Sequence, residues 1–366
     1  MKEKVIVARC ESYEKSAVEK AINKIFILSD ISNNHLDKVL FKPNMLSARP
    51  PEDGVTTHPA IVEATVRLLR SSKKIIGDSP ANINKTVELY WEKCGYKNVS
   101  ENTGVPLVKF SNSIMIELAM PDKKEEVSVV EYIKEYKVFN LPKLKTHGLT
   151  VITAALKNLY GLIPGFHKSV LHSKFISPYE FSEFLVSYYQ AIKSCVFFNL
   201  VDAIISMEGE GPSAGNPIHT GYLIGGSNAV AVDMVCCSLI GLKVEDVPYL
   251  KIYKERYGLP EIEIIGDTLI SVKKFHIPER KSNKIFSSKI LKPFLHLLAK
   301  YFKAIPLIDH TICKKCYACR EVCPVKAISQ NLKFNRKKCI NCLCCFEACP
   351  YKAIKIKKSF IAKLFT

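Results

Sequence analysis

The sequence has no apolar stretch of the length that a membrane span or a secretion signal requires. No run of about 18 uncharged apolar residues occurs in the chain, so no transmembrane helix is predicted. The chain begins MKEKVIVARCESYEK, which lacks the apolar core of a secretory signal. These absences predict a cytoplasmic protein that is soluble or peripheral to a membrane.

Motifs that would identify a reaction directly are also missing. The sequence contains no HExxH motif, no phosphate-binding loop and no convincing nucleophile placed beside a base. The loop DAIISMEGEGPSAGNP at 202–217 is rich in glycine and proline but lacks the spacing of a dinucleotide fingerprint. The residues alone therefore do not name a reaction.

Acidic residues are scarce in the C-terminal quarter of the chain. Residues 273–366 hold 22 Lys and Arg but only 4 Asp and Glu, and they carry the whole net charge of +18. A basic surface of this kind either balances nearby negative charge or binds an acidic redox partner or an anionic membrane. Nucleic acid is not expected as a partner, because no recognised binding motif accompanies the charge.

Cysteine, in contrast, is abundant, and nine of the 14 cysteines lie between Cys313 and Cys349. The segment CKKCYACREVCPVKAI from Cys313 recurs as CINCLCCFEACPYKAI from Cys339, and each copy reads C-x2-C-x2-C-x3-C-P. This spacing is typical of two 4Fe-4S clusters, because the fourth cysteine of each copy reaches the cluster of the other. A zinc site would use paired ligands instead.

The spacing assigns eight cysteines to the two clusters. The first cluster is predicted to bind Cys313, Cys316, Cys319 and Cys349. The second is predicted to bind Cys339, Cys342, Cys345 and Cys323. Cys344 has no place in the pattern, and we interpret it as a packing residue, with an alternative role as a ligand left open. The repeat resembles the bacterial-type ferredoxin domain over about residues 309–358, which implies a small α+β domain that passes single electrons.

Residues 1–275 alternate short Val- and Ile-rich runs with helical segments, which is typical of an α/β domain with a large mixed or mostly parallel sheet. The predicted strands are VIVA (5–8), KVLF (38–41), KIIG (74–77), KVFNL (137–141), VFFNLVD (196–202), YLIGG (222–226) and EIEIIG (261–266). One helix is predicted to begin at Thr57 or His58, with Pro59 in its first position. Left-handed glycine caps are expected after VELYWEKC, ALKNLY and MVCCSLI.

Residues 276–308 are predicted to form a basic amphipathic helical linker. Apolar residues recur there at three- and four-residue steps among lysines, although Pro293 can divide the helix. The apolar stripe would pack on one of the domains or lie on a membrane surface. Residues 359–366 form a short basic tail with the same two interpretations.

Polar residues follow several predicted strands of the large domain, where open α/β sheets place their ligands. We predict that they form a cationic pocket for an anionic substrate, although each residue taken singly is compatible with a structural role. The candidate catalytic residues are Lys42, His58, His147 and Lys157. The candidate substrate- or cofactor-binding residues are Asn44, Lys143, Asn158, Glu208 and Asp233.

The order KPN, TTHP, GDSP, KLKTH, ALKNLYG, MEGEGP and AVD, over about residues 5–270, resembles the domain of unknown function family 362 (DUF362). Members of that family often carry a C-terminal two-cluster ferredoxin domain. The resemblance therefore implies a cytoplasmic iron–sulfur protein, without implying a particular reaction.

Three functions are consistent with this organisation. The leading hypothesis is an iron–sulfur oxidoreductase whose clusters deliver electrons to an anionic substrate, or to an additional cofactor, in the large domain. It is favoured because the large domain is much longer than a protein that only relays electrons would require. The second is a non-enzymatic electron-transfer subunit or assembly factor that docks an acidic partner. The third is non-redox chemistry on an anion, with clusters that are only structural.

Overall fold

A computed structural model describes residues 2–31, 35–80, 87–165, 167–175, 177–272, 274–278, 305–340 and 342–357. Within these ranges the chain forms a large α/β domain followed by a small C-terminal domain, as the sequence predicts. The strands of the large domain are β1 (Glu3–Arg9), β2 (Leu36–Pro43), β3 (Ser71–Gly77), β4 (Leu107–Val108), β5 (Ser113–Ala119), β6 (Lys124–Val130), β7 (Lys137–Leu141), β8 (Lys143–His147), β9 (Val151–Thr153), β10 (Val196–Glu208), β11 (Asn216–Gly226) and β12 (Ile262–Gly266).

Nine α-helices are described in the large domain. They are α1 (Lys15–Leu28), α2 (Pro59–Leu68), α3 (Val87–Lys93), α4 (Tyr96–Thr103), α5 (Ala155–Asn158), α6 (His167–Lys174), α7 (Pro178–Ile192), α8 (Ala229–Leu239) and α9 (Pro248–Tyr257). In the part of the chain that the structure describes, no helix is both long enough and apolar enough to cross a membrane.

One large mixed sheet organises this domain. Its strand order is β12-β1-β11-β10-β7-β2-β3-β4, with β8 paired to β10 and β9 paired to β8. Most neighbours are parallel, and the antiparallel pairs are β1 with β11, β10 with β11 and β8 with β9. All seven strands predicted from the sequence lie in this sheet, which confirms the predicted fold class.

The sheet is buried on both faces. Successive residues of β1 point to opposite sides, so that Val5 and Val7 pack in one apolar cluster while Ile6 and Ala8 pack in another. Both sides are apolar because helices cover both, which explains why the predicted strands appear as continuous Val- and Ile-rich runs.

The predicted helix ends are confirmed in part. His58 caps α2, accepts a hydrogen bond from the Ala60 amide at 3.2 Å, and precedes Pro59 in the first position. Gly95 and Gly241 have left-handed φ values of +79° and +69°. The prediction for Gly161 is wrong, because the chain continues past α5 as a 3₁₀ helix over Leu159–Leu162.

The C-terminal domain consists of β13 (Ile305–Ile308), α10 (Ala318–Glu321), α11 (Cys344–Ala348) and β14 (Ile354–Lys357). β13 and β14 pair antiparallel, which gives the small α+β fold that was expected. β13 occupies the last four residues of the segment predicted as a linker. The remainder of the predicted linker helix, from 279 to 304, and the basic tail lie outside the described residues.

Candidate functional site

Lysines from four elements converge at one edge of the large sheet. Lys42 lies near the end of β2, Lys145 in β8, Lys157 in α5 and Lys168 in α6. Their side chains line a cavity of about 80 Å³. Because the parallel strands of an open sheet end at a common edge, this is where such a fold places a ligand.

The C-terminal domain forms one wall of the same cavity. Cys344 and Glu347, both in α11, are among the lining residues. The domain is held there by long polar contacts, in which side chains of the large domain donate to carbonyls of the C-terminal domain: Arg49 Nη2 to Cys349 O at 3.3 Å and Ser213 Oγ to Phe346 O at 3.4 Å. The cavity is therefore shared by the two domains.

Three of the four lysines have assigned partners. Lys42 Nζ lies 2.9 Å from Asp78 Oδ1, and both side chains are buried. Lys145 Nζ donates to Asn44 Oδ1 at 2.7 Å and to a backbone carbonyl at 2.6 Å, without a carboxylate. Lys168 Nζ donates to the carbonyl of Ser79. Each ammonium is thus positioned by fixed acceptors.

Lys157 differs from the other three. Its Nζ makes no hydrogen bond or ion pair with the described residues, and it lies 4.5 Å from the ring centroid of Tyr160 and 5.4 Å from that of Phe181. The aromatic faces stabilise the cation weakly. Consequently, Lys157 retains its hydrogen-bonding capacity for a bound group.

Burial shifts the pKa values of these lysines downward, since the charged form loses its hydration. It lowers the pKa of Lys157 to about 8, against the attraction of Glu347, and that of Lys168 to about 7. Burial also lowers the pKa of Lys145 well below its usual value, with a further contribution from the charge of Lys157. A bound anion would reverse these shifts.

Four asparagines form a hydrogen-bonded row that begins at the cavity, where Asn44 and Asn158 are lining residues. Asn44 Nδ2 donates to Asn158 Oδ1, Asn158 Nδ2 donates to Asn140 Oδ1, and Asn140 Nδ2 donates to Asn199 Oδ1, each at 2.8 Å. All four side chains are buried. Since Asn44 also accepts from Lys145, the row fixes the position of that ammonium.

His147 lies where the two domains meet. Its Nδ1 accepts a hydrogen bond from the amide of Leu149 at 3.0 Å, which places the proton of the neutral ring on Nε2. Nε2 lies 3.5 Å from Glu347 Oε1. The two side chains therefore face each other where the large domain meets the C-terminal domain.

Asp233, predicted to bind substrate or cofactor, instead positions α5. Its buried carboxylate accepts hydrogen bonds from the amides of Ala155 and Leu156, at 2.6 and 3.1 Å, and from Tyr249 Oη at 2.8 Å. Burial raises its pKa to about 7. Asp233 thus holds the start of the helix that carries Lys157 and does not line the cavity.

His58 and Lys143 belong to a second polar cluster, away from the cavity lining. Asp202 accepts from Lys143 Nζ at 2.9 Å, from Tyr13 Oη at 2.8 Å and from the His58 amide at 2.9 Å. The His58 ring stacks on Tyr13 at 3.7 Å, and burial lowers the pKa of His58 to about 4. These contacts join the loop between β1 and α1, which carries Tyr13, to α2, β8 and β10.

Glu208, the last predicted binding residue, also lies outside the cavity. Its carboxylate accepts from the His276 amide at 2.8 Å and so attaches the segment after β12 to the end of β10. Five of the residues predicted from the sequence also line the cavity: Lys42, Asn44, His147, Lys157 and Asn158.

The cysteines of the two repeats lie close to one another in the C-terminal domain. Burial and then the neighbouring thiols of Cys349, Cys316 and Cys313 raise the pKa of Cys319 to about 12. These four are the predicted ligands of the first cluster. The grouping includes Cys349 from the other repeat, which supports the predicted exchange of ligands.

The second predicted group is brought together in the same way. Cys345 interacts electrostatically with Cys342, Cys339 and Cys323, and also with Cys319 of the first group. No group of three or more His, Cys, Asp or Glu side chains in the described residues converges on a site for a single metal ion. Thiolates in two sets of four are the ligands that a pair of 4Fe-4S clusters uses.

Comparisons with known proteins agree with this organisation. The family model described as Domain of unknown function (DUF362) matches residues 39–238. The chain belongs to the DUF362 family. The model of the 4Fe-4S binding domain matches twice, at 306–329 and 332–355, so this DUF362 protein carries a C-terminal region for two 4Fe-4S clusters.

A thylakoid-associated protein of Synechocystis sp. is similar to this DUF362 chain. The two are 28% identical over 269 residues, which cover 71% of this chain and 81% of the relative. No solved structure matches the chain.

Several residues that line the cavity were not predicted from the sequence, both in the DUF362 domain and in the C-terminal domain. Lys145 and Asp78 lie within the KLKTH and GDSP segments, so a signal for them was present. Lys168 carried no recognisable motif. Cys344 and Glu347 were read only as part of the cluster-binding repeat, because sequence spacing does not show which loop faces the other domain.

Replacing Gly161 by alanine is expected to destabilise the DUF362 domain. A Cβ at this position would lie 2.4 Å from Asp78 Oδ1 and 2.5 Å from Lys42 Nζ, so the buried ion pair would have to shift. We expect a loss of about 1–3 kcal/mol in the free energy of unfolding, measured by urea denaturation under anaerobic conditions. Lys251→Ala, at an exposed position of α9, is the control, and equal stability of the two variants would contradict the close packing.

Proposed function

We propose that the protein is an iron–sulfur oxidoreductase that acts on an anionic substrate held in the cavity between its two domains. The observation that carries the proposal is the position of Cys344 and Glu347. Both belong to the second cysteine repeat, and both line the lysine-rich cavity. The 4Fe-4S clusters supply or accept single electrons when bound.

The polypeptide that would hold the second cluster is itself a wall of the cavity. Cys344 lies between Cys342 and Cys345, which are predicted ligands of that cluster. Cys344 is buried and packs with Val322 and Ala348. An electron leaving this loop toward the cavity would therefore cross no additional domain.

The charges in the cavity favour an anion. Four lysines face two carboxylates, those of Asp78 and Glu347, so positive charge is in excess when the lysines are protonated. In a site shielded from water this attraction is stronger than at a surface. Reduction adds negative charge to a bound substrate, and the same lysines would stabilise that added charge.

The chain also provides groups that can move protons beside the cavity. Lys157 Nζ, with a pKa of about 8, is able both to donate and to accept a proton near neutral pH. His147 Nε2 lies 3.5 Å from Glu347 Oε1, and both residues line the cavity.

The experiment follows reoxidation of the reduced clusters. The anaerobic full-length protein is reduced, separated from excess reductant and mixed with a panel of small organic acids, phosphate esters and nucleotides. We expect at least one anion to accelerate the recovery of cluster absorbance at least tenfold. Lys157→Gln should reduce this acceleration at least tenfold, while reoxidation by a viologen dye stays unchanged.

Lys251→Gln serves as the matched control, because this exposed lysine of α9 is remote from the cavity lining. It should behave like the unsubstituted protein with every anion. If no member of the panel changes the rate of reoxidation, the proposed redox site is refuted.

A further inference from the structure

One cavity-lining side chain lacks a hydrogen-bond partner although it is buried. His172 is only 6% exposed, and its Nδ1 has no partner among the described residues. The ring is held between Phe181, stacked at 4.4 Å, and Tyr160, edge-on at 5.5 Å. A buried polar atom without a partner is destabilising, and the ring that carries it is part of the cavity lining.

We propose that the cavity binds a small oxyanion, a carboxylate or phosphate of a few heavy atoms, between Lys157, Lys168 and His172. This inference rests on the site of the proposed function and specifies the class of its substrate. Lys157 has no hydrogen bond or ion pair with the described residues, and His172 Nδ1 has no described partner. Lys168 has been assigned only one acceptor, the Ser79 carbonyl.

The size of the cavity limits the ligand. Its volume is about 80 Å³, which corresponds to roughly five to eight water-sized groups. Oxalate or phosphate is compatible with this space. A nucleotide or a flavin is larger than this space, so neither is the ligand that we propose for it.

The protonation states complete the recognition of an oxyanion. Burial lowers the pKa of His172 to about 3, with further contributions from Lys157 and Lys168. The ring is therefore neutral near pH 7, and its Nδ1 can carry the hydrogen that a negatively charged oxygen accepts. Two ammonium groups and one neutral donor suit an oxyanion better than a cation.

Binding should be coupled to proton uptake. The two lysines have pKa values of about 8 and about 7 in the free protein, and a bound anion raises both. Affinity should therefore be highest below pH 7 and should fall as the pH rises through these values. Above pH 8 the fall should approach about tenfold per pH unit for each linked proton.

Calorimetry on the oxidised, cluster-loaded full chain provides the test. Oxalate and phosphate are titrated separately, to distinguish a carboxylate site from a phosphate site, and FMN and ADP are the size controls. Two buffers of different ionisation enthalpy report the protons taken up. We expect one of the two small anions to bind, with proton uptake at pH 8, and no binding of FMN or ADP.

Variants identify the residues. Lys157→Gln and Lys168→Gln should each weaken binding of the small anion at least tenfold, and His172→Phe, which keeps the aromatic stacking, at least fivefold. Lys251→Gln should bind normally, and cluster absorbance together with near-UV circular dichroism reports that both domains of every variant are folded. Failure of both oxalate and phosphate to bind, or equal binding of ADP, would overturn the assignment.

This outcome is separable from that of the redox proposal, because the titration involves no reductant. Binding of oxalate or phosphate without any anion-dependent reoxidation would retain the oxyanion site and refute the redox role. Reoxidation by a nucleotide, without binding of either small anion, would retain the redox role and refute the oxyanion site.

Discussion

Cys349→Ser is expected to remove the same cluster as Cys313→Ser, although the two cysteines lie in different repeats. Cys319 is grouped with Cys349, Cys316 and Cys313 in the structure. The fourth cysteine of a repeat reaches the cluster of the other repeat. The iron content of Cys349→Ser should therefore fall from about eight to about four atoms per chain, one cubane being lost.

Electron paramagnetic resonance of the remaining reduced cluster makes this test specific. The spectrum of Cys349→Ser should match that of Cys313→Ser and differ from that of Cys339→Ser. Cys344→Ser is the matched control and should retain about eight iron atoms, because Cys344 has no place in the spacing. A spectrum of Cys349→Ser that matches Cys339→Ser would show that each repeat binds its own cluster.

Asp233→Ala is expected to cause the largest loss of stability in the large domain. The substitution leaves the amides of Ala155 and Leu156 and the hydroxyl of Tyr249 without their acceptor inside the core. We expect the free energy of unfolding to fall by about 3–5 kcal/mol, because several buried donors lose their partner together. Urea denaturation of the anaerobic protein measures this loss.

Two further variants separate the contributions. Tyr249→Phe removes a single donor, so it should cost only about 1 kcal/mol. Asp233→Asn keeps one acceptor oxygen, and it should lie between the other two. If Asp233→Ala costs no more than Tyr249→Phe, the carboxylate does not hold the start of α5.

The fold was largely predictable because its central strands are apolar on both faces. VIVA and KVFNL stand out as strands since nearly every residue in them is buried. β8 was missed because its sequence, KLKTH, is mostly polar, although all five residues are buried. Its lysines are satisfied by partners that are distant in sequence, and no local pattern reveals such partners.

The site was predictable only where a residue follows a recognised strand. Lys42 and Asn44 come at the end of β2, where the rule for open sheets predicts a ligand, and both line the cavity. His58 was predicted from its position at the start of a helix, but it stacks on Tyr13 and is not part of the cavity lining. Periodicity gives the element that carries a side chain, whereas the direction of that side chain depends on packing. Glu347 shows the same limit, because its role depends on how two domains meet.

The asparagine row also gives the cavity an electrical direction. Every amide in it is oriented the same way, with its oxygen toward Lys145 and its NH₂ group toward Asn199. Aligned amides polarise one another, so the row behaves as one extended dipole whose negative end meets the ammonium. Lys145 thus has a distributed neutral counter-charge, and the electrostatics of the cavity depend on Asn199 in β10, at the far end of a row of four amides.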